Sequence, residues 1–267
     1  MKIFGRSPGR FAAALWNLPG LLVASLRCIV LFREPTTILL CYLKRTSPES
    51  RRVSFRSGGV LHLSHDPSDI ITVFLIFCRK DYGSVEAGTS VIDVGANIGV
   101  YSVYAALEGA TSVHAYEPCE ESFNLLQKNI IANGLERIII PHKGVVVGKP
   151  SAPIMFPRAS SVHNRIEADR QNGAEDCAPV DAIPFFRIAE DLRTPSLVKM
   201  DCEGGEYDAI LHTEASVFDR VDQIRLEYHR GPKDQLFQRL AELGYERLKF
   251  TDEGVAGYLW VGKGDPD

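Results

Sequence analysis

Five short stretches hold the residues whose types and spacing could do chemistry. The first is Asp93-Val-Gly95-Ala96-Asn97-Ile-Gly99; then come Glu117-Pro118, Gly144, Asp201-Cys-Glu203-Gly-Gly-Glu206 and Glu227-Tyr-His229. Gly95 and Gly99 let the backbone pass close to a ligand and let a following helix pack near its strand. The pattern D-x-G-x-x-x-G is not the G-x-G-x-x-G that a dinucleotide pyrophosphate favours. A carboxylate at Asp93 suits a ligand with a cationic head, such as the amino group and sulfonium of S-adenosylmethionine. Glu117 follows Asp93 by 24 residues, at the end of the next predicted strand. An acid there can accept hydrogen bonds from both hydroxyls of a ribose. Loop, acid and spacing together point to a nucleoside-bearing ligand.

These stretches must be positioned by the elements between them. Apolar β-rich runs predict strands at 89–94, 113–116, 138–140 with 145–147 as a third strand region, 197–200 and 223–228. Helical spacing marks 98–107, 120–133, 207–218 and 233–243. Residues 245–250 and 258–261 flank a turn at Asp252-Glu253-Gly254 and predict a closing antiparallel pair. Strand and helix alternate from 89 to 243, which predicts an α/β fold with a parallel sheet covered on both faces. In such sheets ligands bind beyond the carboxyl ends of the strands, and acids stand there after four of the five. Residues 148–188, rich in Pro, Ser, Asn and charge, interrupt the alternation as a lid or substrate loop. Ahead of the sheet, 34–46 and 69–77 read as short helices. Residues 53–55 and 60–63 form a hairpin about Gly58-Gly59. The division expected is an N-terminal helical and hairpin extension, 1–83, and a ligand-binding domain, 84–267.

Composition narrows the partners. The chain has 267 residues, 45% hydrophobic and 24% charged, average for a globular protein of one large domain or a domain with an appendage. Residues 1–56 hold ten of the 30 Lys/Arg but only two of the 34 Asp/Glu, which leaves the rest with 20 against 32. An acidic body argues against nucleic acid as the partner, since phosphate neutralisation needs a cationic face. The basic front end can lie on the body or touch anionic lipid. The apolar stretch from Phe11 to Phe32 is interrupted by Asn17, Pro19-Gly20 and Arg27, so it falls short of a spanning helix. Lys2, Arg6 and Arg10 ahead of it have the layout of a secretory signal. One or two short helices on the body are expected, with peripheral membrane contact as the alternative use. Six scattered cysteines, no two of them three apart, form no zinc or redox motif; reduced cytoplasmic thiols are the default.

The motifs have a family likeness. Val-Ile-Asp-Val-Gly-Ala-Asn-Ile-Gly-Val at 91–100, Tyr116-Glu117-Pro118, Leu-Val-Lys-Met-Asp-Cys-Glu-Gly-Gly-Glu at 197–206 and Leu226-Glu227-Tyr228-His229 resemble the FkbM-type methyltransferases. Their signature is a D-V-G-A-N-x-G loop, an E-P pair, a K-x-D-x-E-G-x-E block and L-E-x-H. The resemblance covers about 89–262, and Arg79-Lys-Asp-Tyr82 resembles what precedes it in many members. The first loop is shared with most class I methyltransferases; the K-x-D-x-E-G block is the specific part. The resemblance implies a Rossmann-like seven-stranded sheet whose last strand is antiparallel. It also implies S-adenosylmethionine-dependent O-methylation of a small molecule or glycan, a sugar or polyketide hydroxyl. The third strand departs from the pattern: His142-Lys-Gly-Val145 offers no acid or amide for an adenine, leaving backbone and apolar contacts.

On this reading Asp93, Gly95, Ala96, Asn97, Gly99, Glu117 and Asp201 are the candidate cofactor contacts. His229 is the candidate base, oriented by Glu227 two residues earlier on the same strand face. Asp201 binds the substrate hydroxyl, positions the cofactor or shares the base role. Glu203 is a substrate contact if the strand stays extended, and Glu206 caps the next helix. Asp201, Glu203, Glu227 and His229 could instead hold a hard divalent ion. His62, His65 and Asp66 look ligand-like but read as the polar side of the hairpin, and Cys202 as a small buried residue. The rival functions are an NAD-dependent dehydrogenase on a similar sheet and a non-catalytic adenosyl-binding module.

Overall fold

The computed structural model of this protein describes residues 18–158, 177–252 and 256–264. The first layer is helical. α1 (Leu18–Leu31) and α2 (Pro35–Lys44) are joined by three residues, and α2 opens on Pro35, whose missing N–H is no loss in a first turn. α2 closes on Arg45 in the left-handed region (φ 55°), just ahead of the Ser47-Pro48 stop. β1 (Arg52–Ser54) and β2 (Val60–His62) form the expected hairpin, and its glycines take φ of 99° and 85°. α3 (Ser68–Val73) continues directly into a π-helical segment, Phe74–Arg79. Of the apolar stretch Phe11 to Phe32, residues 18–31 are α1 and the part before Leu18 lies outside the described residues. Among the described residues no helix is long and apolar enough to cross a membrane.

The rest alternates: β3 (Ser90–Val94), α4 (Val100–Leu107), β4 (Ser112–Tyr116), α5 (Glu120–Ala132), β5 (Ile139–His142), then β6 (Val145–Val147), β7 (Ile154–Pro157), β8 (Cys177–Val180) and β9 (Ala182–Pro184). There follow α6 (Phe185–Ala189), β10 (Ser196–Met200), α7 (Gly205–Leu211), a 3₁₀ turn (Ala215–Arg220), β11 (Gln223–Tyr228), α8 (Lys233–Glu242), β12 (Tyr245–Asp252) and β13 (Gly257–Lys263). Seven strands make one sheet in the order β12-β13-β11-β10-β3-β4-β5, and β13 alone runs against the others. This is the Rossmann-like seven-stranded sheet, with its last strand antiparallel, that the family resemblance implied. Strand order reverses between β3 and β10, so the crevice at their carboxyl ends is where this topology places a ligand.

Two expectations need correction. Residues 145–147 are not part of the third sheet strand: they pair in parallel with β9 in a separate ladder. The chain leaves the sheet at Gly144, where a side chain would run into Ile183, and Val145 N donates to Asp181 O at 2.9 Å. The helix expected over 207–218 breaks after Leu211, because the insertion docks there. Gly148 N donates to Asp208 Oδ2 (2.8 Å) and Thr213 Oγ1 to Gly148 O (3.3 Å). Of the insertion, residues 159–176 lie outside the described residues, as do 253–255 of the last turn.

Each face of the sheet carries its own core, and the N-terminal layer belongs to one of them. Phe32, Phe55, Phe74 and Phe77 share a hydrophobic cluster with Val91, Val103, Tyr104 and Leu126. The layer is also stitched by a helix imitating a strand. Asn129 Oδ1 accepts from His62 N (2.7 Å) and its Nδ2 donates to His62 O (3.0 Å) and Ile98 O (2.8 Å). Asn133 repeats the pattern on Val60 N and O, at 3.1 and 2.8 Å. The spacings match, since four helical residues rise about 6 Å and two strand residues about 6.6 Å. Near the hairpin, His65 meets the Arg51 guanidinium, and His62 is half-buried, its pKa lowered by burial and then by Lys128 and Arg52.

Asn129 is fully buried. Replacing it by Ala strands three backbone groups and is expected to lower unfolding free energy by about 3 kcal/mol in urea titration. An effect under about 1 kcal/mol would show that the clamp is dispensable.

Candidate active site

At the switch point a buried ion pair joins the two central strands. Asp93 and Lys199 are register partners on β3 and β10, so their side chains lie side by side. Lys199 Nζ stands 3.0 Å from Asp93 Oδ1 and donates to Gly95 O at 3.0 Å. Burial alone would lower the lysine's pKa, but Asp93 and then Asp201 outweigh it and raise it. Ser102 Oγ donates to Asp93 Oδ2 at 2.6 Å. Asp93 is therefore sealed at 0% exposure and does not line the cavity beyond the strands. Its carboxylate faces a lysine, not a cationic ligand, which corrects the direct contact expected of it.

The loop that follows is held by backbone geometry. Gly95 (φ 73°) passes so close to the next loop that a Cβ would collide with the Asp201 carbonyl oxygen. Asn97 takes φ 50°, its N–H donates to Glu117 Oε2 at 2.8 Å, and its Oδ1 accepts from Ser122 Oγ at 2.9 Å. Gly99 (φ 85°) lies against Leu126 of α5, which allows the close packing of α4 and α5. Glu117 takes a second amide, Cys119 N, on Oε1 at 2.8 Å. Burial pushes its carboxyl up to about 7 against the pull of those two amides.

Beyond β10 and β11 the acids and His229 converge. The chain does not stay extended after Met200: Glu203 takes φ 52° and Gly204 φ 109°. This left-handed turn brings Glu203 Oε1 to 3.5 Å from His229 Nε2, with Asp201 Oδ1 at 3.9 Å. The partner that orients His229 is Glu206, not Glu227. Glu206 Oε1 accepts from His229 N at 2.9 Å and lies 3.3 Å from Nδ1, while its Oε2 accepts from Gly204 N at 2.9 Å. Glu206 thus caps the helix start as expected and also anchors the imidazole. Burial alone would lower the His229 pKa; the Glu206 hydrogen bond and the charges of Asp201, Glu206 and Glu203 raise it to about 9. The ring is a cation at neutral pH.

Glu227 has another partner. Tyr82 OH is 3.1 Å from Asp201 Oδ2 and 3.4 Å from Glu227 Oε2. Burial, then the charge of Asp201, lifts the Glu227 carboxyl to about 8. The Tyr82 hydroxyl thus stands between the two carboxyl groups, within donating distance of both. Tyr82 is placed from the N-terminal layer: Arg225 Nη1 donates to Tyr82 O and Ser84 O, each at 2.7 Å.

Gly95, Asn97, Glu117, Lys199, Asp201, Glu203, Glu227 and His229 open on one cavity of about 510 Å³, within the range of small-molecule sites, whereas Asp93, Gly99, Tyr82 and Glu206 do not line it. It is walled by Gly95, Ala96, Asn97 and Glu117 on one side and Asp201, Glu203, Glu227 and His229 on another. Tyr116, Cys119, Val145, Val146 and Phe156 make an apolar wall near Glu117, and Arg45, Ser68, Asp69 and Thr72 join from the N-terminal layer. Among the described residues no group of three or more His, Cys, Asp or Glu has the geometry to hold a metal ion.

The Methyltransferase FkbM domain model matches residues 93–247, which span the loop, the acids and the convergence just described. The chain belongs to the FkbM methyltransferase family. It is a methyltransferase whose cofactor is S-adenosylmethionine. No curated protein matches it. Similar solved structures include a ribosomal protein L11 methylase from Lactobacillus delbrueckii subsp. bulgaricus, 17% identical, TM-score 0.38, covering 66% of this chain and 70% of that one. TrmK of M. capricolum in complex with S-adenosyl-homocysteine is 13% identical, TM-score 0.41, covering 67% and 64%. A tRNA m1G37 methyltransferase of M. jannaschii is 15% identical, TM-score 0.40, covering 68% and 46%. At such scores these likenesses carry nothing about an acceptor.

The donor set fits the cofactor. Each Glu117 oxygen takes one backbone N–H and keeps a lone pair for a ribose hydroxyl. The carboxylates of Asp201 and Glu203 suit an ammonium and a sulfonium. Sequence reasoning missed Lys199 and Tyr82 as parts of the site. Lys199 had a signal, because Lys199 and Asp201 alternate on one strand; Tyr82 had none, since nothing local says that the extension reaches the sheet.

Two outcomes follow. Lys199→Met leaves Asp93 buried without a counter-charge and is expected to cost about 3–5 kcal/mol of stability by denaturant titration. For His229, the raised pKa contributes stability fully present below about pH 6.5, its ordinary value, and lost as pH rises through about 9. NMR titration of the ring should show that midpoint, and Glu206→Gln should move it down by at least about one unit. An unmoved midpoint would remove Glu206 from the role of anchor.

Proposed function

We propose that this methyltransferase transfers the methyl group to a hydroxyl of a small molecule or glycan, and that Asp201 and His229 handle the proton released. The observation that carries the reading is the Glu206–His229–Asp201 arrangement beyond the carboxyl ends of β10 and β11. When bound, S-adenosylmethionine supplies an electrophilic methyl on a sulfonium. Glu117 holds the ribose; Gly95, Ala96, Asn97 and Gly99 shape the loop against the cofactor, and Asp93 acts on that loop through Lys199. The apolar wall at Tyr116, Val145, Val146 and Phe156 takes the adenine without an acidic or amide partner.

Asp201 accepts the hydrogen bond of the acceptor hydroxyl and fixes its direction. In its deprotonated form His229 takes the proton of the acceptor hydroxyl at Nε2, with Nδ1 held by Glu206. The imidazole, held by Glu206, would keep that proton during the transfer. Glu227 and Tyr82 keep Asp201 in place, and Glu203 stands beside Nε2, where it can also meet the acceptor. The acidic balance beyond residue 56, 20 Lys/Arg against 32 Asp/Glu, supports an acceptor other than nucleic acid.

Calorimetry and turnover separate these roles. Glu117→Ala should weaken S-adenosylhomocysteine binding by about 10–100-fold. His229→Ala should keep binding within about threefold and lower turnover by about 10²–10⁴. Equal loss of binding in both variants would sink the division. Turnover should climb with pH toward about 9 as the ring loses its proton, and the climb should vanish in His229→Ala. Labelled methyl from the cofactor should appear in an ether that survives alkali. Label on nitrogen or in an alkali-labile ester would overturn O-methylation of a hydroxyl, and binding without turnover on any hydroxyl acceptor would leave an adenosyl-binding module.

A further inference from the structure

Apart from Ser25 and Arg27, whose guanidinium donates to Cys78 O at 3.1 Å, α1 is apolar, yet among the described residues only one side of it is covered. Ala24 and Cys28 face the core, while Leu22, Val23, Leu26, Ile29 and Val30 are 63, 45, 55, 47 and 70% exposed. At 22, 23, 26, 29 and 30 they form one helical stripe. α2 repeats the arrangement: Ile38, Cys41 and Tyr42 are buried, Leu40 and Leu43 exposed. Seven of the thirteen exposed large hydrophobic residues among those described lie on these two helices. Isolated exposed leucines need no explanation, but a helix this apolar belongs in a core or in lipid.

Charge selects between the occupants. Arg56 Nε donates to Ile29 O at 2.8 Å and Arg33 Nε to Phe55 O at 3.2 Å, so two exposed arginines stand at the carboxyl end of the α1 stripe. Lys44 and Arg45, also exposed, close α2. Residues 18–56 carry seven Lys/Arg against two Glu. A second copy of the chain on this face would bring two such cationic surfaces together. An anionic bilayer satisfies both features at once, taking the apolar stripe into its acyl boundary and the cations among its phosphates.

We propose that α1 and α2 dock this protein on an anionic lipid surface, with Leu22, Leu26, Ile29 and Val30 inserted and Arg33, Lys44, Arg45 and Arg56 on the headgroups. Arg45 also lines the cavity, so docking brings that edge of the cavity to headgroup level. The proposal does not depend on which acceptor is methylated.

The test is co-sedimentation of the full chain with phosphatidylcholine vesicles, with and without phosphatidylglycerol. Binding is expected only to the anionic vesicles and should weaken with salt. Leu26→Glu should reduce the partition coefficient by at least about tenfold, and Arg33→Gln and Arg56→Gln by about fivefold each. Val30→Glu is the second variant should Leu26→Glu not fold, as read by its melting curve. No binding to anionic vesicles, or equal binding to neutral ones, overturns the proposal. So does loss of binding on Phe4→Glu or Phe11→Glu with none on Leu26→Glu and Val30→Glu, which puts the contact before α1. A concentration-dependent dimer that Leu26→Glu dissolves would assign the face to a second copy and overturn it as well.

Discussion

A lysine ammonium inside a sheet must find a counter-charge, and at Lys199 that requirement organises the site. Taking such a cation out of water costs several kcal/mol unless it is paired and hydrogen-bonded. Asp93 on the neighbouring strand meets it at 3.0 Å, and the Gly95 carbonyl takes a second N–H at 3.0 Å. The pair therefore holds β3 to β10 and pulls the glycine loop down onto β10. The loops after these two strands then approach so closely that only a residue without a Cβ fits at Gly95. Asp93 is used up in this pairing, and the acids left to face a ligand are those further along each loop.

The N-terminal layer is a wall of the same site. Its phenylalanines share a core with α4 and α5, and two asparagines of α5 replace the ladder partner that β2 lacks. Through this docking Tyr82 reaches Asp201 and Glu227, with its backbone held by Arg225. An apolar, cationic outer face on the same layer then sits next to Arg45 at the cavity edge. The glycine loop, the acids around His229 and the outer surface are thus connected through one packed layer and its hydrogen bonds.

The cluster at β10 and β11 is a set of coupled acids and one ring. Burial pushes Glu206, Glu227 and His229 toward their neutral forms, and their pairing works for or against it. Glu206, fully buried, takes two backbone amides and the imidazole, and its pKa falls despite burial because of that hydrogen bond. Glu227, with a carboxylate neighbour, goes the other way, to about 8. Two glutamates 21 positions apart in one motif set thus have their pKa moved in opposite directions.

What could be read from the sequence was whatever neighbouring residues decide. Alternating β-branched runs and helical spacing placed most strands and helices, and glycines marked the turns where the backbone needs positive φ. Glu117, Asp201, Glu203, Glu227 and His229 were legible because each stands at or just past a strand's carboxyl end, and in a parallel sheet those ends share one edge. Chain order could not say which strands are neighbours. Asp93 looks like a ligand contact until β10 brings Lys199 beside it across 106 positions. Glu206 looks like a cap until the turn at Glu203 and Gly204 delivers it to His229. Val145–Val147 reads as sheet until the insertion offers β9 as a partner. In each case the deciding energy is a pairing between segments far apart in the chain, and only the tertiary structure chooses among the partners a segment could have.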